Sequence, residues 1–336
     1  MSTPLTEADI RPPAIMEAKR ACVEADRRFL LERREQWVDA DCPACGTSDR
    51  EAYGEKDGFA YVACTACRTV YTAPRPAPDL LDSFYAGSRN YAYWNEHVFP
   101  ATEDVRRERI FRPRAERLAG IARRLGAPCE VLLDVGAAFG TFCRCAIDAG
   151  LARRAIALEP TPGLAATCRE RGFEVIESPI ESVTETAVAD VVTAYEVIEH
   201  VFDPAGFVDQ CRRLVRPGGL VVLSCPNVRG FGIAELGTAS GSFDHEHLNY
   251  FHPDSLAALV RARGLDVVET LTPGRLDADL VRQAAARGEV DLTTRPLLAE
   301  VLEHRWEELG EPFQDFLAGH GLSSHLWLVA RRPLGT

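Results

Sequence analysis

Two cysteine pairs and one histidine run hold much of the chain's chemical potential. "CPAC" (Cys42, Cys45) and "CTAC" (Cys64, Cys67) are separated by eighteen residues. Two such knuckles can each supply two thiolates to one tetrahedral zinc ion, and four thiolates leave no position open for a substrate. The expectation is therefore a structural zinc site at Cys42, Cys45, Cys64 and Cys67. Reduced thiol pairs and redox disulfides are the alternatives. Cys22, Cys129, Cys143, Cys145, Cys168, Cys211 and Cys225 are scattered among apolar residues and read as small core fillers.

The second cluster is "SFDHEHLNYF", which places His245, Glu246 and His247 side by side in a chain with eight histidines. Histidine as a residue type titrates close to neutrality and suits general-base work, with a carboxylate to orient it. The same three residues could instead cap the following helix, bind a loop, or join a second metal site. His200, in "EVIEHV", reads better as a structural histidine. Arg106 and Arg107 read better as a solvated helix face than as an anion site.

A third stretch, "DVGAAFGTF", combines Asp134, Gly136, Ala138 and Gly140. Glycines at a strand-to-helix turn let the backbone approach a ligand at the helix N-terminus. Glu159 closes the next strand, nineteen positions after Gly140. A carboxylate there can accept both ribose hydroxyls of a nucleoside. A dinucleotide would need its pyrophosphate beside Asp134, which repels it. S-adenosylmethionine carries an ammonium and a sulfonium and suits that acid better.

These residues need a scaffold, and the pattern from 130 onward supplies one. "EVLLDVG", "AIALEP", "FEVIES", "ADVVTAYEV", "LVVLSCPN", "LDVVETLTP" and "HLWLVARR" read as strands with helices between the earlier ones. Such alternation predicts an α/β fold with parallel pairing and right-handed crossovers. Before it lie an amphipathic N-terminal helix within 1–38, a zinc ribbon over 39–78 and an aromatic and helical connector over 79–125. The nucleoside-binding domain is expected over 126–272 and 325–336, interrupted by a helical insertion at 273–324.

Composition narrows the partners. Net charge is −12 and the pI near 5.2, which disfavours a broad nucleic-acid surface. No apolar run approaches the roughly 20 residues of a membrane span. The start "MSTPLTEADIRPP" lacks an apolar signal segment, so a cytoplasmic protein is expected. A homodimer is compatible with all of this.

The motifs "LLDVGAAFGTF", "ALEP", "ADVVTAYEVIEHVFDP" and "RRLVRPGGLVVLSCPN" resemble those of class I S-adenosylmethionine-dependent methyltransferases. The resemblance implies a Rossmann-like seven-stranded sheet whose last strand is antiparallel and inserted beside the sixth. It implies that Asp134, Gly136, Ala138 and Gly140 line the methionine end of the cofactor. Ala138 stands where that family often has a third glycine. Glu159 would hold the ribose, Ser178 and Ile180 would lie near the adenine, and Tyr195 and Glu196 would border the methyl group.

The cysteine module and "HEHLNYF" together are similar to sugar C-methyltransferases with an N-terminal zinc-binding domain. Asp244 stands where that family commonly has tyrosine. The similarity implies that Glu246 and His247 deprotonate the acceptor, and His245 and Tyr195 complete the candidate catalytic set. The expected function is methyl transfer to a small-molecule acceptor, a nucleotide sugar or natural-product intermediate. The alternatives are an RNA or protein methyltransferase that recognises its substrate through the ribbon, and a non-catalytic cofactor-binding module.

Overall fold

The computed structural model describes residues 5–335. Residues 1–4 and 336, which end the segments assigned above to 1–38 and 325–336, lie outside the described residues. The chain divides into two compact units.

One unit comprises 103–225, 256–270 and 327–336. Its sheet has seven strands: β1 (Val131–Val135), β2 (Arg154–Leu158), β3 (Glu174–Ile176), β4 (Ala189–Tyr195), β5 (Val215–Pro226), β6 (Asp266–Leu271) and β7 (His325–Arg331). The spatial order is β6-β7-β5-β4-β1-β2-β3. The last strand thus inserts between the fifth and sixth, as expected. Pairing is parallel for β5 with β4, β4 with β1, β1 with β2 and β2 with β3. Every residue of β1 is buried, as are Val191, Val192 and Ala194 of β4 and Val221, Val222 and Leu223 of β5. Near-continuous apolar strands are what a parallel sheet covered on both faces requires.

The other unit comprises 1–102, 226–255 and 271–326. The antiparallel strands Arg50–Lys56, Phe59–Cys64 and Val70–Thr72 form the cysteine-bearing ribbon. A fourth strand, Asn249–Tyr250, joins its edge, pairing Asn249 with Tyr71 and Tyr250 with Val70. This strand follows directly on the histidine run. The sequence reading stopped the ribbon before residue 79 because the pairing partner lies about 180 residues away, and no local pattern encodes it.

Leu30, from the helix Pro13–Leu31, packs with Phe59, Tyr61, Phe84, Phe243 and Tyr250 in one core. The rings of Phe243 and Tyr250 stack at 4.3 Å, and Tyr61 meets both edge-on. The 273–324 segment is helical, with Asp277–Ala286 and Trp306–Gly319 its longest helices. Ala278, Val281 and Leu302 there make a separate core. No helix among the described residues is long and apolar enough to cross a membrane.

Candidate functional site

The turn after β1 runs through three left-handed residues: Gly136 (φ 70°), Ala138 (φ 48°) and Gly140 (φ 69°). At Gly136 an added Cβ would sit 3.0 Å from Val197, and at Gly140 it would sit 2.9 Å from the Phe173 ring. Those two positions therefore demand glycine for both conformation and space. Ala138 adopts the same region with a side chain, and its amide explains why: it donates to Glu159 Oε2 at 2.9 Å.

Glu159 is fully buried at the end of β2. Its second oxygen accepts the Thr161 amide at 2.9 Å. Burial raises the pKa of this carboxyl above the ordinary carboxylate range, while the amides of Thr161 and Ala138 pull the other way. Each oxygen keeps a second lone pair. The residue types fit a nucleoside: a buried carboxylate beside a turn whose backbone has no bulk at two positions.

Asp134 lies across the strands from Ala157 and Thr193. That register lets the Thr193 hydroxyl donate to Asp134 Oδ1 at 2.6 Å. Burial pushes the Asp134 carboxyl up to about 7, with the Thr193 bond opposing and the nearby Glu159 charge adding to the rise. The Arg114 guanidinium opposes the rise only weakly, and a buried acid of this kind suits a cationic ligand.

At the end of β4, Tyr195 contacts Phe142 at 4.6 Å and Trp327 at 5.3 Å, and the Arg114 guanidinium lies 5.0 Å from its ring centre. Its hydroxyl is buried and makes no hydrogen bond among the described residues. Burial raises the phenol's pKa, so it is a donor rather than a base near neutrality. Glu196 has a positive φ of 55°. Its carboxylate accepts the Ser224 hydroxyl at 2.5 Å. Ile180 is buried, and the half-buried Ser178 donates its hydroxyl to the Pro179 carbonyl at 3.2 Å.

In the other unit the four cysteines converge. Cys42 and Cys67 Sγ are 3.4 Å apart, Cys45 and Cys64 Sγ 3.6 Å, and all four sulfurs lie within 4.8 Å of one another. Tetrahedral zinc with bonds of about 2.3 Å places sulfurs ~3.8 Å apart. The two knuckles match residue for residue. Gly46 and Arg68, each following a second cysteine, both take positive φ and donate their amides to the carbonyls of Cys42 and Cys64. Burial opposes ionisation of Cys64, yet the amides of Cys67 and Ala66 bring it down to about 7. The arrangement is compatible with a zinc ribbon.

The histidine run is neither strand nor helix end. Asp244 Oδ1 accepts the amides of Glu246 (2.8 Å) and His247 (2.9 Å), folding the run into a tight turn. A tyrosine has no carboxylate to accept these two amides. His247 Nδ1 lies 2.8 Å from the Ser242 carbonyl oxygen. A carbonyl only accepts, so Nδ1 carries the proton and Nε2 is the basic nitrogen. The His247 carbonyl accepts the Tyr250 hydroxyl at 3.0 Å. His245 is 5% exposed, its Nε2 3.7 Å from Glu246 Oε1. Asn90 donates its side-chain amide to the same oxygen.

The ribbon grips this segment. Thr72 donates its amide to Leu248, and Lys56 Nζ donates to the carbonyls of Ser240 (2.8 Å) and Phe243 (2.7 Å). Buried His252 bonds the Cys67 carbonyl through Nε2 at 2.8 Å. Sequence reasoning missed Asn90, Lys56, Thr193 and His252. Each acts on a residue at least 59 positions away, and no spacing rule reaches so far.

Residues 104–270 match a family model described as "Methyltransferase domain". Among curated relatives, the ubiquinone biosynthesis O-methyltransferase of Burkholderia vietnamiensis is 35% identical over 106 residues, 29% of this chain and 45% of that one. Its counterpart from Paracidovorax citrulli is 38% identical over 103 residues, 28% of this chain and 43% of that one. The chain thus spans a little under half the length of the curated relatives it matches. The Burkholderia thailandensis 1,6-didemethyltoxoflavin-N1-methyltransferase, solved with 1,6-didemethyltoxoflavin and S-adenosylhomocysteine, is similar at 16% identity and a TM-score of 0.45, covering 84% of this chain and 99% of that one. The Haemonchus contortus phosphoethanolamine N-methyltransferase 2 with S-adenosylmethionine is similar at 17% identity and a TM-score of 0.42, covering 65% and 52%. Residues 104–270 of this chain are a methyltransferase domain.

Proposed function

We propose that the whole protein transfers a methyl group from S-adenosylmethionine to a small-molecule acceptor, with zinc fixing the ribbon that holds the acceptor-handling segment. The observation that carries the reading is Glu159. This buried carboxylate is held by two backbone amides at the end of β2, beside a turn with three left-handed residues, in a domain that matches methyltransferases. Glu159 would hold the ribose hydroxyls, and Asp134 with Gly136, Ala138 and Gly140 the methionine end. Ser178 and Ile180 would flank the adenine, and Tyr195 and Glu196 the methyl group. When bound, S-adenosylmethionine supplies a methyl group on a sulfonium.

The acceptor is an alcohol, amine or carbon acid that must lose a proton, and His247 Nε2 takes it. Glu246 is its partner, His245 supports Glu246, and Asp244 fixes the turn. The tautomer set by Ser242 supports this assignment. The relatives' names include O-methyltransferases of a biosynthetic pathway, and the His-Glu-His segment resembles that of sugar C-methyltransferases. Both are consistent with a nucleotide sugar or natural-product intermediate handled in the cytoplasm. The test is transfer of labelled methyl from S-adenosylmethionine to a panel of nucleotide sugars, hydroxylated aromatics and ribosomal RNA. Label confined to the RNA would overturn the small-molecule reading.

A further inference from the structure

The aromatic stretch between ribbon and methyltransferase domain contributes one polar side chain to the histidine run. Asn90 lies in the helix Arg89–Tyr93 and is 7% exposed. The backbone there is firmly placed. Ser88 caps the helix by accepting the Tyr91 amide at 3.0 Å. The buried carboxylate of Asp26 accepts the Ser88 hydroxyl (2.6 Å) and the amides of Arg89 (2.9 Å) and Asn90 (2.8 Å). The Asn90 side chain is thereby aimed at Glu246, 156 residues further on, and donates to Oε1. Its own Oδ1 is buried and has no hydrogen-bond partner among the described residues. Leaving an amide oxygen unpaired carries a desolvation cost, so the Nδ2 contact is not an incidental surface bond.

From this geometry we infer that Asn90 is a positioning residue for Glu246: by donating to Oε1 it holds the carboxyl plane and favours Oε2 as the seat of the carboxyl proton. A protonated oxygen is the poorer acceptor, so the oxygen that accepts the amide is the less favoured seat for the proton. His245 Nε2 addresses the same Oε1. Proton exchange by Glu246 then favours one oxygen, and the carboxyl keeps one orientation through turnover.

The charged and titratable groups around Glu246 include Asp244, His245 and His247 on its own segment and Lys19 on the helix Pro13–Leu31. Burial is the largest influence and raises the Glu246 pKa. Asp244 raises it further, and His245, the Asn90 bond and His247 lower it. Lys19 is itself held below the ordinary lysine range, chiefly by burial.

The inference rests on the reading of Glu246 as a working acid–base group, yet its test needs no acceptor. The full-length, zinc-loaded protein is labelled with carboxyl-13C glutamate, and the Glu246 resonance is assigned through Glu246→Gln. Its titration midpoint is then followed by NMR in wild type, Asn90→Ala and Asn90→Asp. Loss of a charge-assisted hydrogen bond should move the midpoint up by about one to two pH units in Asn90→Ala. Asn90→Asp has the same size and keeps every backbone contact, but puts a like charge beside Glu246, so it should move the midpoint further. It decides the matter alone if the alanine variant does not fold. Midpoints unchanged in both variants overturn the inference. Shifted midpoints together with full turnover in His247→Ala would uphold Asn90 as the positioning residue and sink the proposed acceptor chemistry.

Discussion

His247 donates Nδ1–H to the Ser242 carbonyl at 2.8 Å, and this single bond decides which face of the ring is basic. A base with its tautomer fixed before the acceptor arrives needs no reorganisation during turnover. His247→Ala should therefore lose about 10²–10⁴ in turnover while binding S-adenosylmethionine almost normally. His245→Ala should lose less, because His245 addresses Glu246 rather than the acceptor. Steady-state rates on the acceptor found in the labelling panel check this, and an alanine variant that keeps most of its turnover moves the base elsewhere.

Zinc removal should act on the acceptor chemistry through the ribbon. The Asn249–Tyr250 strand pairs with Val70 and Tyr71, and His252 bonds the Cys67 carbonyl. Both tie the histidine run to the second knuckle. Elemental analysis should find one zinc per chain. Strong chelation should abolish methyl transfer yet leave S-adenosylmethionine binding nearly intact. Cys64→Ser should behave alike. Protein purified without chelator and free of zinc would contradict the proposal.

Asp134 makes stability depend on pH. Its folded carboxyl titrates at about 7, above the ordinary value of 3.8. The folded state therefore holds the proton more tightly than the unfolded chain. The stability this contributes is fully present below pH ~4 and is lost as pH rises through about 7, on the order of a few kcal/mol. Asp134→Asn mimics the protonated form. Its melting temperature without ligand should match wild type near pH 3 and exceed it at pH 8. Parallel curves for the two proteins would rule out the buried acid as the cause.

Ala138 tests the turn itself. A non-glycine residue at φ 48° carries a steric cost of about 1–2 kcal/mol, partly offset by the greater freedom of an unfolded glycine. Ala138→Gly should stabilise the protein by roughly 0.5–1 kcal/mol in denaturant unfolding. It keeps the amide that Glu159 accepts. A destabilised variant would mean that the methyl group packs usefully.

The sheet was legible because its strands are apolar runs bounded by glycine, as in "VLLDV" before Gly136 and "LVVLSCP" after Gly219. A parallel strand buried on both faces leaves little freedom in composition. The cysteine module was legible because two knuckles at short spacing carry their geometry locally. The surroundings of the histidine run were not. Asn90 and Glu246 meet across 156 residues, and Lys56 reaches Phe243 across 187. Side-chain bonds of that separation follow from tertiary packing and leave no periodicity. The helix Trp306–Gly319 shows the same limit, since it continues through Pro312, where a proline usually ends or kinks a helix.

Calorimetric titration of S-adenosylmethionine into wild type and Glu159→Ala tests the central claim most directly. Charged hydrogen bonds are worth about 1.5–3 kcal/mol each. Wild type should bind one equivalent, and Glu159→Ala should bind at least about tenfold more weakly with its fold intact. No binding by wild type, or equal affinity in the two proteins, would contradict the account.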